Sequence, residues 1–234
     1  MAEKCLKCFR PIHTCYCSYI QPIKTPVKFV FLMHPKEAYH QHTGTGRLAS
    51  LSLPVSEIIV GIDFTQNKRV QELLQDEKYF HMVLYPDSQA IFAKDKSIKE
   101  NIEKEKKLLI FIIDATWFFA KKILRLSPCI KNLPKLSFAN TYKSQFIFKH
   151  QPAEGYISTI ESCYYLILEL KEAGIIDKGI KAESLMEVFK KMVNFQLQAE
   201  QERIAAGIPG RHAYDAKRSK STLPKNRQNI ILQQ

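Results

Sequence analysis

Leu108-Leu-Ile-Phe-Ile-Ile113 carries no polar side chain and runs directly into Asp114-Ala-Thr-Trp117, beyond which helical spacing begins. An apolar run this short falls far below the roughly 20 residues that a membrane span needs, so it reads as a strand buried on both faces. Three similar runs precede it, at 27–33, 57–62 and 81–85, and polar helical stretches at 67–75 and 98–106 lie between them. Strands that are apolar throughout and alternate with helices belong to a mostly parallel sheet covered on both faces, so the expected fold class is α/β.

Outward from this core, residues 116–126 have helical spacing, with Trp117, Ala120, Ile123 and Leu124 on one side, Lys121, Lys122 and Arg125 on the other, and Pro128 as the stop. A weaker strand is expected at 145–149. Ser158-Thr-Ile-Glu161 has the spacing of a capping box, in front of an apolar helix ending near Ala173-Gly174. A last amphipathic helix is expected over 182–204. Beyond it, Arg211, Lys217, Arg218, Lys220, Lys225 and Arg227 stand against Asp215 alone, a basic arm suited to polyanions.

The chain has 234 residues, 45% of them hydrophobic, 25% charged and 11% aromatic, enough apolar surface for a packed fold and too much for a disordered one. Its formal charge of +12 favours encounter with nucleic acid. Residues 1–20 lack the apolar core of a signal peptide, and a cytoplasmic protein with no membrane contact is expected. Four of the six cysteines, Cys5, Cys8, Cys15 and Cys17, crowd into residues 1–26, a segment poor in apolar periodicity. Four thiolates close a tetrahedral zinc shell, which makes the expected site structural, with His13 as a possible substitute for one ligand. Cys129 and Cys163 stand alone in apolar surroundings.

Other stretches place reactive groups where strands should end. Asp114-Ala-Thr-Trp117 follows the buried run, at the strand edge where doubly wound folds bind ligands, although Asp114 as a helix cap and Trp117 as a core residue would also explain it. His34-Pro-Lys-Glu37 follows the first strand, and Thr43-Gly-Thr-Gly-Arg-Leu48 comes next; with no third glycine, Gly44 and Gly46 read as a turn. Leu84-Tyr-Pro86 closes the third strand. No serine or cysteine nucleophile stands in a triad order, and the histidines lack zinc-hydrolase spacing.

Taken in order, the four-cysteine cluster, His34-Pro-x-Glu37, Thr45-Gly-Arg-Leu48, Leu84-Tyr-Pro86, Asp114-x-Thr-Trp117 and Ser158-Thr-x-Glu161 resemble the DTW-domain family, named for its Asp-x-Thr-Trp motif. Two departures stand out: Ala115 replaces a common glycine, and Lys149-His-Gln-Pro152 replaces an Arg-Arg-Gln-Pro stretch. The resemblance implies a tRNA-uridine aminocarboxypropyltransferase that uses S-adenosylmethionine (SAM), modifies uridine N3 and releases methylthioadenosine. It also implies a SPOUT-like fold with a C-terminal knot. In that frame Asp114 is the catalytic candidate, as base or as positioning group. Thr45, Leu48, Leu84, Tyr85, Pro86, Thr116, Trp117, Ser158, Thr159 and Glu161 are the SAM-binding candidates. Lys121, Lys122, Lys149, His150 and the basic arm would meet tRNA phosphates. The expected division is a zinc-binding segment over 1–26, a transferase domain over 27–205 and a basic tail over 206–234. Methyl transfer to RNA, and a non-catalytic zinc-stabilised RNA-binding protein, are the competing readings.

Overall fold

The computed structural model describes residues 3–40, 43–146 and 155–207. They divide into two units at Phe189 and Lys190, the second represented by residues 190–207. The first holds a five-stranded, all-parallel sheet of β1 (Lys28–Met33), β2 (Ser56–Val60), β3 (Tyr79–Leu84), β4 (Lys107–Asp114) and β5 (Lys135–Leu136), in the order β2-β1-β4-β3-β5. Between and after the strands come α1 (Pro35–His40), α2 (Thr45–Ser52), α3 (Lys68–Gln75), α4 (Lys96–Glu103), α5 (Trp117–Leu126), α6 (Pro128–Lys131), α7 (Thr159–Glu172) and α8 (Glu183–Ala205). The long helix α8 contributes to both units.

The central strands explain their sequences. Phe29 to Met33 of β1 and Leu108 to Phe111 of β4 are essentially excluded from solvent, which requires cover on both faces of the sheet. On one face Val30, Leu32, Leu109 and Phe111 pack with Val70 and Leu73 of α3, Ile123 and Leu124 of α5 and Ile130 of α6. The opposite face carries Phe29, Phe31, Ile110 and Ile112, and α2 packs against both β1 and α7. Met33 pairs with Asp114 in this register, so the Asp114 side chain leaves the sheet on the α2 and α7 side.

Helix ends follow local chemistry. Asn67 Oδ1 accepts from the Val70 amide at 3.1 Å and opens α3. The expected capping box is present at Ser158, and α7 closes with the Gly174 amide bonded to Lys171 O and the Ile175 amide to Leu170 O, with Gly174 at φ +70. This reciprocal pattern is a Schellman closure.

The departures from the sequence expectations have physical causes. The Asp95 side chain caps Ser97 at 2.9 Å and starts α4 early, and Glu105 at φ +61 ends it before Lys106. Thr43 to Leu48 is not a simple turn: α2 begins at Thr45 with Gly44 as its N-cap. Pro128 stops α5 as expected, since the residue before it, Ser127, leaves the helical region at φ -118 and ψ 74, and it also opens α6, where its missing N–H has no helical partner to lose. Gln145 and Phe146 are not in a strand, and the rest of the expected strand at 145–149 lies outside the described residues. So do Lys149, His150, the Gln151-Pro152 pair and the basic arm at 211–227. Among the described residues no helix is long and apolar enough to cross a membrane.

Candidate functional site

The chain leaves β1 toward β2 on one side of the sheet and leaves β4 toward β5 on the other, so the connections diverge above the β1/β4 pair. Open α/β sheets form their ligand crevices at such a point, outside the carboxyl ends of the strands. His34 and Asp114 meet there, the His34 amide donating to the Asp114 carbonyl at 3.0 Å.

Asp114 is only 4% exposed. Its Oδ1 accepts from the Thr159 hydroxyl at 2.6 Å, and a Cβ on Gly46 would overlap its carboxylate. Thr159 is the first residue of α7 and Gly46 lies in the first turn of α2, so two helix N-termini converge on one carboxylate, an arrangement that favours negative charge there. Gly46 is therefore a residue of close approach. The Arg47 guanidinium stands within electrostatic reach of Asp114, and burial lowers its pKa while Asp114 acts in the other direction.

A cleft of about 330 Å³ opens beside this carboxylate. Leu84, Tyr85 and Pro86 line it from the end of β3, Ala115 from the β4–α5 turn, Trp117 and Ala120 from α5, and Ser137, Phe138, Asn140 and Thr141 from the segment after β5. Gly155, Tyr156, Thr159 and Ser162 also line the wall. Trp117 meets Tyr156 edge-on at 4.3 Å and Tyr85 at 6.1 Å, so it faces the cleft and not the core. Of the residues expected at a SAM site, Leu84, Tyr85, Pro86, Trp117 and Thr159 line this cleft. Asp114, Thr45, Leu48, Thr116, Ser158 and Glu161 lie outside its lining.

Glu161 is fully buried and occupied by the protein itself. Its carboxylate accepts from the Ser158 amide and hydroxyl, the Ser144 hydroxyl and the Gln145 amide. Two turns later along α7, Glu169 accepts from the amides of Ala139 and Asn140 and from the Tyr142 hydroxyl at 2.9 Å. Between them Tyr165 stacks on Tyr142 at 3.8 Å. Burial pushes the Tyr142 phenol up to about 12, which keeps it a hydrogen-bond donor. One stripe of α7 thus clamps the segment that walls the cleft. Nothing in the sequence pattern singled out Glu169; a buried acid inside an apolar helix was the available signal. Glu169→Ala should cost at least about 2 kcal/mol, since bonds to a charged group contribute roughly 1.5–3 kcal/mol each. Hydrogen exchange should show the Ala139 and Asn140 amides losing protection first.

His34 and His81 set a pH dependence. His34 Nδ1 accepts from the Lys36 amide at 3.1 Å and its ring stacks on Phe119 at 4.1 Å, so the imidazole is neutral with its proton on Nε2. Burial, then Lys36 and Lys122, lower its pKa; burial lowers that of His81, opposed by its bond to Leu73 O. With both folded-state values depressed, their stabilisation is complete above the ordinary value near 6.5 and is lost as pH falls below it. The melting temperature should drop on acidification from about pH 7.5 to about 5.5. His81→Phe should flatten that slope.

The cysteine cluster is a tight knuckle. The Cys5 amide donates to Arg10 O and the Phe9 amide to Cys5 O, with Phe9 at φ 58. The Cys5 and Cys17 sulfurs are 3.7 Å apart, those of Cys8 and Cys15 3.6 Å, and all four lie within 4.8 Å of one another. A tetrahedron with metal–sulfur bonds of about 2.3 Å has edges near 3.8 Å, so this sulfur set fits a four-coordinate soft metal. The amides of Cys8 and then Lys7 hold the Cys5 thiol down at about 6, whereas burial pushes that of Cys17 up. His13 is not among the four grouped ligands. Cys163 is buried in α7, and burial raises the pKa of both Cys163 and Cys129.

Comparison with known proteins agrees with these motifs. A tRNA-uridine aminocarboxypropyltransferase 2 of Macaca fascicularis is 23% identical over 199 residues, covering 83% of this chain and 64% of that protein. The Drosophila melanogaster protein of the same name is 27% identical over 167 residues, covering 68% and 63% respectively. The chain therefore spans just under two thirds of the length of these curated relatives. No solved structure gives a significant match. The family model described as DTW domain matches residues 2–197, which takes in the knuckle, the Asp114 crevice and α7. The chain belongs to the DTW-domain family.

Proposed function

We propose that this chain is a SAM-dependent tRNA-uridine aminocarboxypropyltransferase acting on uridine N3. The observation that carries the reading is the aromatic-walled cleft at the carboxyl edge of the sheet, built from the Leu84-Tyr-Pro86 and Asp114-x-Thr-Trp117 stretches of a chain similar to proteins bearing that name. When bound, SAM supplies an electrophilic carbon beside its sulfonium, to which uridine N3 bonds with loss of its proton and release of methylthioadenosine.

The residues present fit such a ligand. Tyr85, Trp117 and Tyr156 offer ring faces that attract a ligand cation. Ser137, Asn140, Thr141 and Ser162 offer polar partners along the wall. Thr45 and Leu48 lie buried in α2, Thr116 is the N-cap residue of α5, and Ser158 with Glu161 caps α7, so these residues shape the site from behind. Asp114 is a positioning residue in this scheme: it draws Thr159 and the start of α2 to one point and so sets the shape of the wall. Group transfer then rests on holding N3 against one carbon of the donor, because misplacement by about 1 Å can cost roughly 100-fold in rate.

The same reading places zinc on Cys5, Cys8, Cys15 and Cys17, tRNA phosphates against Lys121, Lys122 and the basic arm, and the reaction in the cytoplasm. It divides the chain into a zinc segment (1–26), a transferase domain (27–205) and a basic tail (206–234), and extends the parallel sheet to the SPOUT-like class with a C-terminal knot.

Trp117 is the one tryptophan of the chain and it lines the cleft, which gives a direct test of the donor site. Titration with SAM should quench its fluorescence saturably and raise the melting temperature, and Tyr85→Ala should weaken both. Absence of any SAM response would exclude this cleft as the donor site.

A further inference from the structure

Large aromatic side chains stand in solvent around the Asp114 crevice. Phe118, directly after the cleft-lining Trp117, is 74% exposed, and Tyr39 on α1 is 73% exposed. Phe9, at the apex of the cysteine knuckle, is 53% exposed. Single exposed hydrophobics need no explanation, but these three join through cations and other rings into one arc. Phe118 meets Phe119 edge-on at 5.3 Å, and Phe119 is held by its stack on buried His34 and by Lys36 Nζ, 4.9 Å over its ring. Lys36 and Tyr39 are three apart on α1 and share a face. The Tyr39 hydroxyl is within electrostatic reach of Arg47, whose guanidinium sits 4.3 Å over the Phe9 ring and donates to Ala38 O.

We infer that this arc of alternating rings and cations is a stacking platform for the unpaired nucleotides of an RNA loop, laid across the crevice next to the cleft. The inference rests on the reading of the chain as a tRNA-modifying enzyme and names the surface that would hold the loop. Charge selects the occupant: Lys36 and Arg47 lie over the Phe119 and Phe9 rings, Lys121 and Lys122 follow Phe118 by three and four positions on α5, and the chain's net charge of +12 suits a polyanion. The rings select its state, because only an unpaired base offers a free face for stacking and bases inside a duplex offer none. Position gives the platform its purpose. His34 is bonded to the Asp114 backbone and Phe118 follows Trp117 on α5, so a strand stacked here has its neighbouring base at the mouth of the cleft.

The test is equilibrium binding of the full chain, without SAM, to two fluorescent RNAs: a stem-loop with a wide unpaired loop, and a blunt duplex of equal length. Phe118→Ala should weaken stem-loop binding about tenfold, in the range for loss of one stacked base, and leave duplex binding unchanged. Phe118→Tyr should retain the affinity. Lys36→Ala should weaken both RNAs and lower the salt dependence of binding. Phe118 is exposed, so its substitution should leave the melting temperature unchanged; Tyr39→Ala, tested in parallel, gives a second variant with the same expectation. Unchanged stem-loop affinity in both variants, or an equal loss with the duplex, would overturn the platform. No turnover is measured, so the result stands apart from failure of the proposed transfer chemistry.

Discussion

Gly46→Ala should reduce the proposed group transfer at least about 100-fold and destabilise the fold by roughly 1–3 kcal/mol, the usual cost of overpacking a tight site. The added methyl has no room, because it would occupy the space of the Asp114 carboxylate. Either α2 backs away or the carboxylate leaves Thr159, and both movements deform the wall that Thr159 shares with the cleft. The cause is separable from a general weakness of alanine at this position. In an Asp114→Ala background the obstructing group is gone, so the added Cβ should cost much less stability than in the native chain, a coupling that a double-mutant cycle reads directly. Equal costs in the two backgrounds would show that Gly46 and Asp114 do not meet as described.

Loss of the metal proposed for the cysteine knuckle should have the other large effect. Residues 3–26 contain little core of their own, and structural zinc sites contribute apparent binding energies of about 10–16 kcal/mol, far beyond what such a segment gains from packing. The purified chain should carry one metal per molecule by elemental analysis. Cys8→Ser, or a strong chelator, should release it and open new proteolytic sites ahead of Pro26 while the sheet stays protected. The sheet keeps its own core, although Ile23 is buried and its amide is bonded to Ser52 O, so cleavage should stop near that anchor. A metal-free protein with the same protease pattern would remove the knuckle from the account.

The sequence and the structure agree where side-chain pattern and backbone geometry share one cause. Phe29 to Met33 and Leu108 to Phe111 are apolar because both faces of β1 and β4 are covered, and that is legible without coordinates. The capping box at Ser158 is legible for the same reason, since it is a local bond between residues three apart. Less legible was β5, whose two residues carry no periodicity and are placed by pairing with Val83 and Leu84. The pair Gly44 and Gly46 looked like a turn because the reason for Gly46 lies 68 positions away in Asp114, a contact that no local pattern encodes. Trp117 could equally have been a core residue by spacing; the positions of Tyr85 and Tyr156 show that it faces the cleft. Glu161 was readable as a cap but not as a clamp, because its bonds to Ser144 and Gln145 depend on a segment with no pattern of its own.

Transfer itself is the decisive observable. The purified chain is incubated with SAM and unmodified tRNA transcripts, the RNA is digested to nucleosides, and these are weighed by mass spectrometry beside a parallel reaction in which SAM carries its isotope label only on the methyl carbon. Uridine should gain the mass of an aminocarboxypropyl group, with no label on the nucleoside and the label recovered in methylthioadenosine. A labelled methyl on the nucleoside, or intact unmodified uridine from tRNA that the protein demonstrably binds, would contradict the proposed transfer.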